Sequence, residues 1–258
     1  MKFMRFKQNE GLIAYGILEG GNIYEVEGSI YNEFRKTGKI YNISNVKVLT
    51  PCEPTKILCV GLNFMEHVKE LDLAIPVEPA HFMKPLCSII NPMENIVYPR
   101  VATRVDYEGE LALVIKDKIY DVSVEEALTH VLGITQFNDV TERDISYTPS
   151  LVTRCKGFDT FTSFGPVIDT EINPENAIIR TYLNGEKVQE GNTAEQIFSC
   201  AYIVSYLSQC MTFYPGDVIT TGTPNHVVSM KDGDKIEIEI EGIGTRLVNY
   251  VYDPKMHK

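Results

Sequence analysis

Short apolar segments separated by glycine and proline turns restrict the fold of this chain more than any other feature of its sequence. Leu111–Ile115 has the composition of a buried strand, and Asp217–Thr221, Lys235–Ile240 and Arg246–Val251 form a cluster of strand-like segments near the end of the chain. Many short strands with few helices favour a barrel or a rolled mixed sheet over a doubly wound fold. The sequence therefore predicts a mixed α/β fold that is predominantly β.

Residues 1–50 differ in character from the remainder of the chain. Leu12–Leu18 and Asn22–Val26 flank a Gly-Gly pair, which predicts a β-hairpin, and a short polar helix is expected around Ile30–Thr37. Two nearby prolines then mark a boundary. We interpret residues 1–50 as a small β-rich N-terminal domain and residues 51–258 as the main domain.

The main domain opens with a predicted strand at Lys56–Val60. Val124–Val131 has the pattern of a short amphipathic helix that leads into a strand over Gly133–Val140. Gln196–Gln209 carries the longer helical apolar pattern. These helices are few and short beside the predicted strands.

The charge balance and the cysteine spacing narrow the class of protein. The chain has 24 Lys+Arg against 35 Asp+Glu, a formal net charge of −11, which repels the phosphate backbone of nucleic acids. No apolar run approaches the roughly 18 residues of a membrane helix, and no signal-peptide pattern opens the chain. The six cysteines form no metal-finger spacing, and reduced thiols are expected. We therefore expect a soluble cytoplasmic protein with no nucleic-acid or membrane partner.

Clustered carboxylates lead into the buried Leu111–Ile115 segment. Side chains at i and i+2 of a strand project from the same face, so Glu108 and Glu110 would lie side by side with Asp106 next in the row. Adjacent carboxylates repel one another unless they are protonated or bridged by a cation, and such oxygen ligands suit Mg²⁺, Mn²⁺ or Ca²⁺ rather than zinc. The alternative is a solvated strand edge.

A further acidic residue, Asp139, ends the apolar stretch that begins at Gly133. Alone, its expected role is to cap a helix beginning at Thr141. Together with Glu108 and Glu110 it would complete a three-carboxylate metal site with positions left open for water.

A histidine and a glutamate share a predicted short helix. Asn63 followed by Glu66 is typical of a capping box, so a helix should begin there. His67 and Glu70 are then at i and i+3, on one face and within reach of each other, as in a general-base dyad. The alternative is an ordinary surface ion pair.

Three weaker signals complete the candidates. Lys156 and Lys84 each lie between apolar or small residues, although most lysines are solvated surface charges. Thr220–Pro224 is a turn that can offer backbone amides and hydroxyls to a carboxylate, or that only turns the chain. None of these signals is specific alone.

Taken in order along the chain, these segments resemble the fumarylacetoacetate hydrolase family, especially its short bacterial and mitochondrial members. The resemblance covers about residue 56 to the C-terminus, and residues 1–50 resemble the small N-terminal domain of many bacterial members. The matching segments are Gly61–Glu70, Phe82–Pro85, Asp106–Leu111, Asn138–Asp144, Lys156–Phe161, Asn184–Thr193 and Pro215–Pro224.

The resemblance implies a β-roll with short helices, a homodimer, and one Mg²⁺ or Mn²⁺ per subunit. It further implies roles for individual residues. Glu108, Glu110 and Asp139 would be the metal ligands, His67 and Glu70 the dyad on a lid helix, Lys156 a catalytic lysine facing the substrate, and Lys84, Arg143, Gln189 and Thr223 further substrate contacts. Leu62 and Ser146 depart from the basic residue and the glutamine of some acylpyruvate-cleaving relatives, which bears on substrate identity.

The function implied is that of a metal-dependent enzyme that cleaves a C–C bond in a small anionic 2-oxo acid through a metal-stabilised enolate. Hydrolysis of an acylpyruvate and decarboxylation of oxaloacetate are both open. The alternatives are an isomerase of the 2-hydroxyhepta-2,4-diene-1,7-dioate type and a non-catalytic domain that binds a metal or a small molecule.

Overall fold

The computed structural model describes residues 1–145 and 151–257. The strands within these residues are β1 (Lys2–Lys7), β2 (Ile13–Glu19), β3 (Asn22–Gly28), β4 (Phe34–Asn42), β5 (Lys47–Leu49), β6 (Ile57–Gly61), β7 (Ala80–Lys84), β8 (Ile89–Ile90), β9 (Asn95–Val97), β10 (Val105–Asp106), β11 (Gly109–Ile115), β12 (Val131–Asp139), β13 (Thr141–Glu142), β14 (Thr162–Phe164), β15 (Ile168–Asp169), β16 (Ile178–Leu183), β17 (Glu186–Asn192), β18 (Val218–Thr220), β19 (Lys235–Ile240) and β20 (Arg246–Tyr252). The α-helices are α1 (Met65–Glu70), α2 (Val124–Ala127), α3 (Val152–Lys156) and α4 (Cys200–Cys210).

The strands form two large sheets and one short ribbon. The main sheet has the order β4-β3-β2-β1-β15-β12-β11-β18-β6-β7, with β5, β8 and β14 paired beside this path. The second sheet has the order β17-β16-β19-β20-β9, and β10 pairs with β13. The fold is therefore mixed α/β and predominantly β, as the sequence predicts.

Strand β11 lies at the centre of the molecule because both of its faces are buried. Leu111 and Leu113 belong to a core that also holds Leu207 of α4. Ala112 and Val114, which point the other way, belong to a second core with aromatic residues of the neighbouring strands. A strand covered on both faces needs a continuous apolar run, and this is why the pattern over Leu111–Ile115 predicts it correctly.

The N-terminal strands are hydrogen-bonded to the rest of the main sheet. The predicted hairpin is confirmed as β2 and β3, and β1 reaches β15 through the pairs Lys2↔Asp169 and Phe3↔Ile168. Strand β5 ends at Leu49, close to the boundary proposed at residue 50. The division of the chain into two domains stays a prediction.

The helix predicted around Ile30–Thr37 is wrong, because β4 begins at Phe34 and pairs antiparallel with β3. A short polar segment without an apolar face cannot sustain an isolated helix, whereas here its backbone completes the hydrogen bonds of β3. The Phe34 ring also packs edge-on against Phe3, with 5.1 Å between the ring centroids. Pairing with a distant strand thus outweighs the local pattern.

The remaining predicted elements are found with adjusted ends. Strands β6, β11, β12, β18, β19 and β20 and helix α2 lie where the patterns place them. Helix α4 begins at Cys200 rather than at Gln196, because the Ser199 side chain accepts a hydrogen bond from the Tyr202 amide and caps the helix there. Among the described residues, no helix has the length and hydropathy required to span a bilayer.

Candidate active site

The three predicted carboxylates converge where β11 begins and β12 ends. Glu108 directly precedes β11, Glu110 is its second residue, and Asp139 is the last residue of β12. Because the two strands pair antiparallel, these ends are adjacent, and the Asp139 amide donates to the Glu108 carbonyl oxygen at 2.9 Å. One oxygen from each carboxylate lies within 4.8 Å of the others, and all three side chains are buried. Buried carboxylates this close require compensating positive charge or protonation.

A glycine between the two glutamates allows the second sheet to approach the cluster. A Cβ atom on Gly109 would lie 2.0 Å from the Thr181 hydroxyl oxygen and 3.3 Å from the Gln189 side-chain oxygen. No side chain fits in that space. The Glu-Gly-Glu sequence therefore reflects close packing of β11 against β16 and β17 on the face opposite the carboxylates.

Two lysines and an arginine contact two of the three carboxylates. The Lys156 ammonium, at the end of α3, donates to Glu108 at 2.5 Å and to Asp139 at 2.6 Å. The Lys84 ammonium, at the end of β7, donates to the other Asp139 oxygen at 2.5 Å. Arg143 contacts Glu108 and also donates to Asp106 at 2.9 Å. The substrate-facing roles predicted for Lys84, Arg143 and Lys156 stay predictions, and each of these side chains is held here by the acidic residues.

The charges divide the carboxylates into two kinds. Burial raises the pKa of Glu108, but the positive charges of Lys156 and Arg143 outweigh it, and that pKa falls to about 2. Burial, followed by the negative charges of Asp139 and Glu108, raises the pKa of Glu110 well above its usual range. The main-chain amide of Gly222 donates to Glu110 at 3.2 Å. The Thr220–Pro224 turn, predicted to offer an amide to a carboxylate, therefore binds a carboxylate of the protein itself.

This donor set fits a divalent cation. Three buried carboxylates with oxygens within 4.8 Å supply hard ligands of the kind that Mg²⁺ and Mn²⁺ accept. The position of Glu110 beside two other carboxylates is unfavourable for its charged form, and a cation among the three would reverse that. The alternative reading as a solvated strand edge is excluded by burial.

The predicted dyad lies on α1. The His67 Nδ1 atom is 3.3 Å from a carboxylate oxygen of Glu70, and His67 is buried whereas the Glu70 side chain is 36% exposed. His67 also lies near enough to the cluster to contribute, after Lys156 and Arg143, to the lowered pKa of Glu108. The i, i+3 spacing therefore brings these two residues together beside the carboxylates.

The capping box predicted for α1 is wrong. Phe64 is the N-cap residue and makes no side-chain cap. The Asn63 amide group instead donates to the carbonyls of Thr221 and Phe198, and its oxygen accepts from the Phe198 amide at 2.8 Å. A fully buried amide needs partners for both of its ends, and these carbonyls and this amide supply them. Asn63 thus fastens the start of α1 to the segments before α4 and after β18.

Gln189 and Thr223 join the second sheet to the turn that follows β18. The Gln189 amide group donates to the Thr223 hydroxyl at 2.9 Å and to the Pro224 carbonyl at 2.7 Å, and its oxygen accepts from Thr181 at 2.8 Å. Thr223 donates in turn to the Gly109 carbonyl at 3.0 Å. Their predicted contact with substrate stays a prediction, and their visible bonds hold this turn against β11.

Comparison with known proteins identifies the family. Residues 56–251 match the fumarylacetoacetate (FAA) hydrolase C-terminal domain. The chain belongs to the fumarylacetoacetate hydrolase family. Residues 1–51 match the Rv2993c-like N-terminal domain.

Three similar proteins illustrate the range of the family. The uncharacterized protein MJ1656 of Methanocaldococcus jannaschii is 46% identical, with 85% of this chain and 90% of that protein covered. The human mitochondrial oxaloacetate tautomerase FAHD2A is 39% identical, with 81% and 70% covered. The crystal structure of 2-hydroxyhepta-2,4-diene-1,7-dioate isomerase from Mycobacterium marinum superimposes with a TM-score of 0.91 at 36% identity, covering 98% of this chain and 99% of that one. Two of these three proteins are named as enzymes.

Of the two positions at which the sequence departs from some acylpyruvate-cleaving relatives, the structure describes one. Leu62 lies just before α1 and has a positive φ of 56°, an uncommon conformation for a branched apolar residue. Ser146 lies outside the described residues.

Sequence reasoning missed the partners of Asp106. This carboxylate, fully buried in β10, accepts from Arg104 as well as from Arg143. Arg104 lies two residues before Asp106, just outside β10, and this short separation is the one signal in the sequence that points to the pair.

Proposed function

We propose that this chain is a divalent-metal-dependent enzyme that moves a proton next to the 2-oxo group of a small 2-oxo dicarboxylic acid, interconverting its enol and keto forms. The observation that carries the proposal is the buried Glu108–Glu110–Asp139 cluster with the His67–Glu70 pair beside it. The human oxaloacetate tautomerase and the mycobacterial isomerase are both named for isomerisations, and this supports proton transfer over C–C bond cleavage as the reaction of this chain.

The charged groups around the cluster support an anionic substrate. Glu108, Glu110 and Asp139 would hold Mg²⁺ or Mn²⁺, one per subunit. The bound cation would polarise the 2-oxo group and neutralise the negative charge that develops on its oxygen. Lys156 lies within 2.6 Å of two of the ligands and adds fixed positive charge at the same place. A protein of net charge −11 can therefore attract an anion to this one position.

The His67 imidazole would exchange the proton at the carbon beside the 2-oxo group. The burial of His67 keeps bulk water away from its ring nitrogens, and the Glu70 carboxylate, 3.3 Å from Nδ1, holds the ring in one orientation. Both enolisation and its reverse need one group that takes and returns a proton at a fixed position, and this pair supplies it.

A second candidate is the C–C bond cleavage that the resemblance implies, either hydrolysis of an acylpyruvate or decarboxylation of oxaloacetate. The observation that favours hydrolysis is the exposure of Glu70, because water can reach its carboxylate. Decarboxylation needs no nucleophile and would use the same bound cation.

Homodimer formation and a cytoplasmic location remain parts of the proposal. Large apolar side chains are exposed on the segment after α1 and on β7, among them Ile75, Val77 and Met83, and such a patch suits a contact between subunits. The six cysteines are all free, as thiols are in a reducing compartment. Sedimentation analysis would test the dimer against a subunit of 29.1 kDa.

The test follows three reactions in parallel with purified protein in Mg²⁺, in Mn²⁺ and in EDTA. These are loss of the enol absorbance of oxaloacetate, release of pyruvate from oxaloacetate, and hydrolysis of acetylpyruvate, each against a blank of metal without protein. Faster ketonisation without pyruvate release supports the tautomerase, and either of the other signals selects cleavage.

Two variants of α1 distinguish an effect on the His67–Glu70 dyad from a general effect on the helix. Glu70→Gln removes the charge of the dyad, whereas Glu66→Gln makes the same change at an exposed position of the same helix. We expect loss of about 100-fold in kcat for the first and none for the second. Absence of turnover for every substrate, with metal binding intact, would favour the non-catalytic binding domain and refute the proposal.

A further inference from the structure

The Glu70 carboxylate is held from two sides. His67 approaches it within α1. From outside the helix, the main-chain N–H of His226 donates to both carboxylate oxygens, at 3.0 and 3.2 Å. An exposed glutamate on a six-residue helix otherwise samples several rotamers, so the external amide selects one.

The residue that provides this amide has an unusual backbone conformation. His226 has a φ of +66°, in the left-handed region that residues with a side chain rarely adopt. Such a conformation persists where the surrounding structure holds it. The carbonyl of the same residue accepts a hydrogen bond at 3.0 Å from the hydroxyl of Tyr107.

Tyr107 connects residue His226 to the carboxylate cluster. Its side chain is fully buried, and in sequence it lies between Asp106 and Glu108. A continuous set of contacts therefore runs from the segment that carries Glu108, through the Tyr107 hydroxyl and the backbone of His226, to Glu70 and His67.

We propose that Tyr107 is a positioning residue: its hydroxyl binds the carbonyl of the left-handed residue His226 and holds its backbone so that the His226 N–H fixes the Glu70 carboxylate against His67 and keeps α1 closed over the cluster. The inference rests on the proposed function for its catalytic meaning. The effect of Tyr107 on α1 can be measured without any substrate.

The chain offers a matched control. Tyr98 is also a buried tyrosine, and its hydroxyl donates to the carbonyl of Met230, four residues further along the same segment. Tyr98→Phe and Tyr107→Phe each delete a hydroxyl that donates to a main-chain carbonyl of this segment, and only the Tyr107 bond leads to Glu70. The Tyr98 hydroxyl also accepts from the Val105 amide at 3.3 Å, so its loss is at least as demanding a test of general loosening.

The experiment measures hydrogen–deuterium exchange of residues 65–72 and steady-state kinetics with oxaloacetate for the wild type and both variants. For Tyr107→Phe we expect exchange in α1 about tenfold faster and kcat about tenfold lower, the effect of one hydrogen bond, with KM within about twofold. For Tyr98→Phe we expect both quantities to match the wild type. His226→Asn, which tolerates a left-handed backbone and keeps the N–H, is expected to retain slow exchange in α1.

Wild-type exchange in Tyr107→Phe would overturn the inference, and so would equal effects of the two tyrosine variants, since those indicate general loosening. Fast exchange in His226→Asn would assign the contact to the imidazole and also overturn it. If the wild-type protein turns over none of the substrates, the proposed function fails, and the exchange data still decide whether Tyr107 holds α1.

Discussion

Replacing Glu110 by glutamine tests the carboxylate cluster most directly, because the variant should separate metal binding from folding. Burial and the neighbouring Asp139 and Glu108 raise the pKa of Glu110, so the charged form of this side chain is disfavoured in chelator. Glutamine resembles the protonated acid in shape and charge. We therefore expect Glu110→Gln to melt within about 2 °C of the wild type in EDTA.

With a divalent cation the two proteins should diverge. A ligand at 100 times its dissociation constant stabilises the folded state by about 2.7 kcal/mol. A chain of 258 residues unfolds with an entropy of about 0.5 kcal/mol per kelvin, so the wild-type Tm should rise by about 5 °C. The variant, which lacks one of three charged ligands, should show little of this rise at the same Mg²⁺ or Mn²⁺ concentration.

Thermal unfolding followed by fluorescence, with and without EDTA, provides the measurement. Glu25→Gln is the matched control, since Glu25 is a buried carboxylate of the N-terminal strands, far from the cluster in the chain, and its pKa is lowered by hydrogen bonds from Thr37, Lys39 and Tyr41 that outweigh the effect of burial. That control should lose stability in EDTA yet keep the whole rise with metal. A full rise in Glu110→Gln, or a large loss of its stability in EDTA, would refute the reasoning.

Three further predictions concern stability around the cluster. Gly109→Ala should lower the free energy of unfolding by about 2 kcal/mol and reduce activity, because the new methyl group meets the Thr181 hydroxyl, and urea titration should show partial recovery when Thr181→Ala is added. Lys84→Met should cost about 3 kcal/mol in EDTA, measured by the same titration, since Asp139 loses a buried cation. The pKa of Glu108 is lowered from 4.5 to about 2, so its contribution to stability is complete above pH 4.5 and is lost as the pH falls towards 2; the pH dependence of unfolding should be flatter in that interval for Glu108→Gln. An unchanged slope would contradict the last of these.

The parts of the site that depend on local geometry could be predicted from the sequence. Glu108 and Glu110 share a face because strand side chains alternate, and His67 meets Glu70 because helical neighbours recur every three to four residues. The burial of β11 followed from its unbroken apolar run.

The parts that depend on distant partners could not. Lys84 meets Asp139 across 55 positions of sequence, so no local pattern indicates the pairing. Strand β4 forms because β3 offers an edge, and Asn63 binds segments more than a hundred residues away instead of capping its own helix. In each case a tertiary partner decided between conformations that the local sequence left open.

The close approach at Gly109 has a mechanical consequence. A Cβ atom on Gly109 would lie only 2.0 Å from the Thr181 oxygen, so the backbone between Glu108 and Glu110 packs tightly against the second sheet and has little room to move. Ca²⁺ requires longer bonds and six to eight oxygens, which a pliable loop can provide by spreading, whereas Mg²⁺ requires short bonds in a fixed octahedron. Because this backbone is rigid, we expect the three carboxylates to select cations by ionic radius and to bind Mg²⁺ in preference to the larger Ca²⁺.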